Sequence, residues 1–319
     1  MADVAVAAGV SGQTVSRVVN GSPRVDPGTR ARVEAAMASL GYRPHRAARA
    51  LRTGRTDAIG LLVSTLATVG NSRMLQAISG AAASRGYVLT VVTASGADDV
   101  VRGFARLREQ GVDGAIVLNE ATAAARTVRP PDGLALVVVD SPPDDRYSIV
   151  QTDHAAGARA ATRLLLDLDR GPVWHVAGPT ASFAASERER GWRAELEAAG
   201  VAASAVPPVV RCDWTAASAH AAARALPAAV GAVFAANDQM ALGAMRALAD
   251  AGRSIPDDVA VVGFDDIADA ADYRPPLTTV RQDFDALGES AVDALVARIA
   301  GAAPASVTLS PTLVRRASA

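Results

Sequence analysis

The chain has no lysine: all 32 of its basic side chains are arginine. With alanine so abundant, this reads as the codon bias of a GC-rich genome. Arginine in place of lysine therefore carries no meaning at any single site. There is one cysteine, Cys212, which excludes an intrachain disulfide and a thiolate metal cluster. The four histidines, at 45, 154, 175 and 220, show no metal-ligand spacing and read as surface or core polar residues. No apolar run approaches the roughly 20 residues that span a bilayer. Met1-Ala2-Asp3 does not open the basic-then-apolar pattern of a signal peptide. A glycine-rich phosphate loop and a nucleophile motif are also missing. Asp238 with Asp265-Asp266 is the one imaginable acid/base pair, and with nothing beside it catalysis is not expected. These absences point to a cytoplasmic chain that is no enzyme and takes no metal or cofactor.

What is present is length and an uneven charge. At 319 residues the chain can hold two or more cores, since domains run roughly 100–200 residues. Half of it is hydrophobic and a fifth charged, as in an ordinary globular protein. The net charge of −1 hides a division. Residues 1–55 carry nine arginines against Asp3, Asp26 and Glu34, a net of +6, and the remainder carries −7. A basic head on an acidic body is the electrostatic footprint of a phosphate-backbone binder.

The head holds the most informative motif, Ala8 through Asn20. Gly9 can take the left-handed conformation that ends a short helix. Ser11 can cap the next helix, with Thr14 in its first turn. Val10, Val15, Val18 and Val19 then form an apolar stripe, while Gln13, Thr14, Ser16, Arg17 and Asn20 form a polar face. Glutamine and arginine can bond base edges bidentately, and serine and threonine can reach phosphates. After the loop Gly21-Ser22-Pro23, Asp26-Pro27 signals a capped helix start. Val33, Met37 and Leu40 recur at helical spacing as far as Gly41. Three helices in 41 residues make a helix-turn-helix head over residues 1–44. Residues 45–56 are basic and alanine-rich, too short for a stable free helix, and read as a linker that folds on a partner.

From residue 57 to 319, apolar runs alternate with helical stretches. Nine strands are expected, at Ala58–Ser64, Tyr87–Thr93, 114–119, Ala135–Asp140, Val173–Gly178, Pro208–Cys212, Ala232–Ala236, Val259–Phe264 and Thr278–Arg281. Helices are expected at Met74–Arg85, Ala155–Leu168, Glu187–Ala199, Thr215–Leu226 and Met240–Ala251, among others. β-branched runs alternating with helices argue for parallel sheets covered on both faces. The fold class expected is an α-helical head plus an α/β core of two doubly wound parallel-sheet subdomains. A ligand would sit where strand C-termini face each other. Ser64, Asn119, Asp140, Asn237-Asp238 and Asp265-Asp266 each follow an apolar run. Any one of them reads as a helix cap. Five converging on one crevice fit a hydroxyl-rich ligand, with Arg188 as a charged donor and Trp214 and Phe284 as apolar walls.

These residues carry a resemblance. The chain resembles the lac repressor/galactose repressor family of bacterial transcription regulators across essentially its whole length, nearer the lac repressor branch than the purine repressor branch. The match is densest over Ala8–Asn20, residues 30–51, Ala236–Ala247 and Val261–Leu287, the last including Pro275-Pro276-Leu277-Thr278-Thr279 and Gln282-Asp283-Phe284. The resemblance implies a periplasmic-binding-protein-like core and a homodimer whose two heads enter successive major grooves of a near-palindromic double-stranded DNA operator. It implies base reading by Gln13 and Arg17, with Gly12 at a specificity position. It also implies supporting contacts from Ser11, Thr14, Ser16 and Asn20. Residues 46–52, with Arg46, Ala48 and Arg49, match a hinge helix of the minor groove, where Leu51 would wedge between base steps. In the core, Ser64, Asp140, Arg188, Trp214, Asn237, Asp265, Gln282 and Phe284 match positions that contact a small effector. That effector is expected to be a sugar, a galactoside or glucoside, acting allosterically as an inducer that releases the repressor.

Two departures and two rivals accompany the resemblance. No heptad tail follows Arg315-Arg316, so a dimer and not a tetramer is expected. The first helix looks clipped, which makes a start upstream of Met1 the expectation. A purine or sugar-phosphate effector is the alternative within the family, since Trp214 can stack on a base as well as on a pyranose. A sugar-binding transport protein shares the two-lobed core, but it needs an export signal and no DNA-binding head.

Overall fold

The computed structural model describes residues 1–42, 54–118, 120–128, 131 and 133–319. The expected hinge residues Arg46, Ala48, Arg49 and Leu51, and the strand-end residue Asn119, lie outside the described residues. The chain divides into two compact units, Met1–Thr56 and Asp57–Ala319.

The first unit contains helices α1 (Ala2–Ala8), α2 (Gly12–Val19) and α3 (Pro27–Ser39). Gly9 ends α1 in the left-handed region at φ 63°, and Ser11 Oγ caps α2 by accepting from the Thr14 N–H at 3.1 Å. Asp26 caps α3 through the Thr29 N–H at 3.0 Å, with Pro27 in the first turn. Val4, Val15, Val18 and Val33 form the buried centre, with Val10, Val19 and Met37 packed around it. Leu40 departs from the expected stripe. It is 50% exposed, and Ala36 and Tyr42 fill the position instead. The left-handed turn at Gly41 swings the chain so that the Tyr42 N–H reaches the Met37 carbonyl at 2.9 Å.

The second unit holds two six-stranded sheets. The first has the order β11-β5-β4-β3-β1-β2, with β1 (Ala58–Val63), β2 (Val88–Thr93), β3 (Gly114–Leu118), β4 (Ala135–Val139), β5 (Ser148–Thr152) and β11 (Ser306–Leu309). The second has the order β12-β10-β9-β8-β6-β7, with β6 (Val173–Ala177), β7 (Val210–Arg211), β8 (Ala232–Ala235), β9 (Ala260–Asp265), β10 (Thr278–Arg281) and β12 (Thr312–Val314). All pairs are parallel except β10 with β12.

Helices cover both faces of each sheet, as buried parallel strands require. In the first lobe α4 (Val69–Ser84) and α11 (Phe284–Ile299) bury Met74, Ile78, Leu287 and Leu295 against one face. On the other face, α5 (Ala97–Glu109) and α6 (Glu120–Thr127) supply Phe104, Leu107 and Ala121. In the second lobe α7 (His154–Leu166) and α8 (Phe183–Ala198) bring Leu165, Trp192 and Leu196 onto Phe234 and Phe264. Helices α9 (Ala216–Ala223) and α10 (Asp238–Asp250) cover the opposite side with Ala219, Met240 and Leu248. The chain crosses between lobes three times, after β5, after β10 and between β11 and β12.

Candidate functional site

The head presents one polar helix face. Ser11, Gly12, Gln13, Arg17 and Asn20 are exposed, and Thr14 and Ser16 half-buried. The short side chains are locally engaged. Ser11 Oγ and Thr14 Oγ1 lie 2.9 Å apart, and Asn20 Nδ2 donates to the Ser16 carbonyl at 2.6 Å. Gln13 and Arg17 are the long side chains of this face, and they project from a helix whose opposite side is fixed by Val15 and Val18. A Cβ built on Gly12 would meet nothing within 4 Å.

In the core, strand C-termini of both sheets face a cavity between the lobes. Asp140, Arg188, Trp214, Asn237, Asp265, Gln282 and Phe284 all line it. Ser64, at the end of β1, is not among the lining residues; its carbonyl accepts from Ser95 Oγ at 3.5 Å. Asp238 also turns away, to accept from the Ile267 N–H at 2.8 Å and from Thr279 Oγ1 at 2.5 Å. Sequence reasoning missed Thr68, Asn71 and Ser182, which also line the cavity. Thr68 and Ser182 are themselves helix caps, accepting from the Asn71 and Ala185 N–H groups. In sequence they look like any other cap.

The backbone is strained where the site is built. Asp140 (φ 57°), Trp214 (φ 76°) and Asp265 (φ 112°) adopt positive φ without being glycine. Such conformations cost roughly 1–3 kcal/mol each and persist only where the surroundings fix them. For Trp214 the fixing is visible. Asn237 Nδ2 donates to its carbonyl at 3.2 Å. Its indole lies over Gly178, where a Cβ would stand 2.5 Å from the ring. Gly178 is therefore glycine for the space the indole needs.

Arg188 is the charged centre of the cavity. It extends from α8, 4% exposed, with Cζ 3.9 Å from the Phe264 ring centroid and 5.6 Å from that of Trp214. One terminal nitrogen donates to the Ala236 carbonyl, and Nη2 stands 3.5 Å from Asp265 Oδ1. Gln282 Nε2 donates to the same carboxylate oxygen at 2.6 Å. Burial lowers the Arg188 pKa and raises that of Asp265, because each charge has been taken out of water. Their mutual attraction opposes both shifts. His154, read from sequence as a bland polar residue, sits between Arg188 and Asp140. Its Nε2 is 2.8 Å from Asp140 Oδ1, and its Nδ1 is 3.4 Å from Arg188 Nε. The signal that points to it is its place two residues past β5, a strand the sequence pattern did not reveal.

Known proteins match both units. Residues 1–45 match the family model of bacterial regulatory proteins of the lacI family, and residues 173–319 match the periplasmic binding protein-like domain. The HTH-type transcriptional regulator CelR of Thermobifida fusca is 37% identical over 310 residues, covering 93% of this chain and 91% of its own. The solved complex of a CelR transcriptional regulator with cellobiose superposes with a TM-score of 0.76 at 34% identity, covering 99% of this chain and 98% of that one. The lac repressor dimer bound to operator and the anti-inducer ONPF gives a TM-score of 0.85 at 34% identity, with 99% and 97% covered. A helix-turn-helix head and a two-lobed binding-protein core on one chain define a DNA-binding transcription regulator governed by a small molecule. This chain belongs to the lacI family of bacterial regulatory proteins. Among the described residues, no helix is long and apolar enough to cross a membrane.

Proposed function

We propose that the chain is a homodimeric repressor of the bacterial cytoplasm, released from a palindromic operator when a neutral sugar, a galactoside or glucoside, occupies the cavity between its lobes. It has no catalytic role. The exposed Gln13 and Arg17 read bases, Gly12 leaves a gap at a third reading position, and Ser11, Thr14, Ser16 and Asn20 support backbone contacts. The segment with Arg46, Ala48, Arg49 and Leu51 serves as the hinge in the minor groove. In the core, Arg188, Asp265, Asp140, Asn237 and Gln282 bond hydroxyls, while Trp214 and Phe284 cover ring faces.

The observation that carries the sugar reading is the charge balance of the cavity. Among the described residues lining it, Arg188 is the only cation, and Asp140 and Asp265 are both acidic. Arg188 already faces Asp265 at 3.5 Å. A phosphate would meet net negative charge, whereas paired acceptors and donors around an indole suit a neutral polyol. The cellobiose in the CelR complex supports the same class. The test is a thermal-shift screen of the wild type and Arg188→Ala against galactosides, glucosides, sugar phosphates and purines. A ligand at 100 times its Kd stabilises the native state by about 2.7 kcal/mol. A shift with one neutral sugar class, lost in Arg188→Ala, is expected. A shift with purines or sugar phosphates alone overturns the reading.

A further inference from the structure

We propose that His154 is a positioning residue of the effector cavity, a neutral relay held as its Nε2–H tautomer that aims Asp140 of the first lobe and Arg188 of the second at the same ligand. The proposal rests on the reading of this cavity as the effector site, and it adds a residue that does not line the cavity.

An arginine has only donors. Both Nε and Nη2 of Arg188 lie 3.4 Å from His154 Nδ1. That nitrogen must therefore accept, and the ring proton must sit on Nε2. Nε2 is 2.8 Å from Asp140 Oδ1, where the N–H donates to a carboxylate. The imidazole thus accepts from a cation on one side and donates to an anion on the other. Neither alternative form does both. The Nδ1–H tautomer turns a donor toward Arg188 and a lone pair toward Asp140, and the imidazolium sets a second cation beside the guanidinium.

The surroundings allow little else. His154 is 1% exposed and packs against Phe264, with ring centroids 5.9 Å apart. The same Phe264 ring carries the Arg188 guanidinium on its face. Gly157, one turn along α7, leaves room for Phe264, since a Cβ there would stand 2.8 Å from that ring. Asp140 directly follows β4 in the first lobe, and Arg188 belongs to α8 in the second. His154 stands at the first crossing between them. From Asp140 through His154 and Arg188 to Asp265 and Gln282, the charged and amide groups form one chain across the cavity wall.

Two conservative variants divide the relay. In His154→Gln the amide nitrogen reaches the Nε2 position and can donate to Asp140, but no acceptor stands at the Nδ1 position that faces Arg188. In His154→Asn the amide oxygen can accept from Arg188, but nothing reaches Asp140. Cellobiose is the probe, titrated calorimetrically into the full-length wild type and both variants. Each variant is expected to fold, by unchanged circular dichroism, and to bind at least tenfold more weakly. Wild-type affinity in both variants overturns the proposal. A second measurement needs no ligand. Long-range 1H–15N spectra of ¹⁵N-histidine-labelled protein, assigned by loss of the signal in His154→Gln, report the tautomer directly. The Nε2–H form at pH 7.5 is expected, and the Nδ1–H form or an imidazolium overturns the relay. If the wild type binds no cellobiose, the sugar reading fails in this form while the spectrum still decides the role of His154.

Discussion

The backbone N–H of Val69, in the first turn of α4, donates to Gln239 Oε1 of α10 at 3.1 Å. The two residues belong to opposite lobes and are 170 positions apart. Val69 adjoins Thr68 and Gly70, and Gln239 follows Asn237 by two residues; Thr68, Gly70 and Asn237 all line the cavity. A helix N-terminus in one lobe is therefore completed by a side chain of the other. The bond holds the lobes together beside the ligand without a charge being involved.

Gln239→Ala removes that bond and leaves the Val69 N–H to water. A net hydrogen bond is worth about 0.5–1.5 kcal/mol. Sugar affinity should fall by a factor of roughly 2–10 with little change in unfolding temperature. Calorimetric titration checks the first effect, and X-ray scattering in solution checks the accompanying opening of the lobes.

Arg188→Ala should cost stability as well as effector response, because it strands the buried carboxylate of Asp265. Breaking a buried ion pair costs about 3–5 kcal/mol. Burial already raises the Asp265 pKa, and Arg188 is the largest influence holding it down. Without Arg188 the folded-state pKa climbs further, so the stability lost is greatest at neutral pH and shrinks as the pH falls. Adding Asp265→Asn should restore much of the stability and none of the sugar binding. Urea denaturation of both variants across pH 5–8 measures this.

Asp238 predicts a pH slope in the intact protein. It is fully buried, and burial, aided by repulsion from Asp265, raises its pKa well above the ordinary 3.8. The folded chain thus holds this proton more tightly than the unfolded chain does. The contribution to stability is most favourable at low pH and declines as the pH rises above 3.8 toward the folded value. Asp238→Asn should flatten that decline. An unchanged slope in the variant would remove Asp238 as its source.

Gly178→Ala places a methyl group against the Trp214 indole. Overpacking of this kind costs about 1–3 kcal/mol, and here the ring that must move is a wall of the cavity. The variant should fold, lose at least tenfold in sugar affinity and show a changed tryptophan emission. Wild-type affinity would remove Trp214 from the contact surface.

In the head, Gly12 and Arg17 should behave oppositely. Nothing within 4 Å would meet a Cβ at Gly12. Gly12→Ala should therefore stabilise the head by up to about 1 kcal/mol while shifting operator preference at one base position. Arg17→Ala should leave stability unchanged and reduce discrimination by about 1–3 kcal/mol, the worth of a bidentate base contact. Titrations against operator and scrambled duplexes at fixed salt separate the two.

The sequence is most legible where one local rule decides the structure. Gly9, Ser11 and Asp26 each act as their residue type predicts, because caps and left-handed turns depend on a few neighbouring atoms. The nine expected strands are found, shifted by a few residues; Tyr87 falls outside β2, and β7 shrinks to Val210–Arg211. Three further strands, β5, β11 and β12, escape the pattern. Ser148-Ile149-Val150-Gln151-Thr152 mixes polar with apolar residues, and β11 and β12 are half-exposed edges with no continuous apolar run. Missing β5 hid His154, and missing β11 and β12 hid the third crossing. Among the cavity residues, Asp140, Asn237 and Asp265 are readable because they lie at or just past the ends of buried strands. Ser64 lies just past one too and still falls outside the cavity. Which strand ends converge depends on the sheet order, which no local pattern contains.

That sheet order has a mechanical consequence. All three crossings run beside β5 and β11 in one sheet and β10 and β12 in the other, pairs that form matching edges. Two bodies joined at a single point can swivel in any direction; joined at three points along one edge, they keep a shared axis and resist torsion. The lobes therefore behave as a book on its spine, with an angle as their one soft coordinate. A message carried as a single angle can be reversed by any contact, at any height along the spine, that favours open over shut.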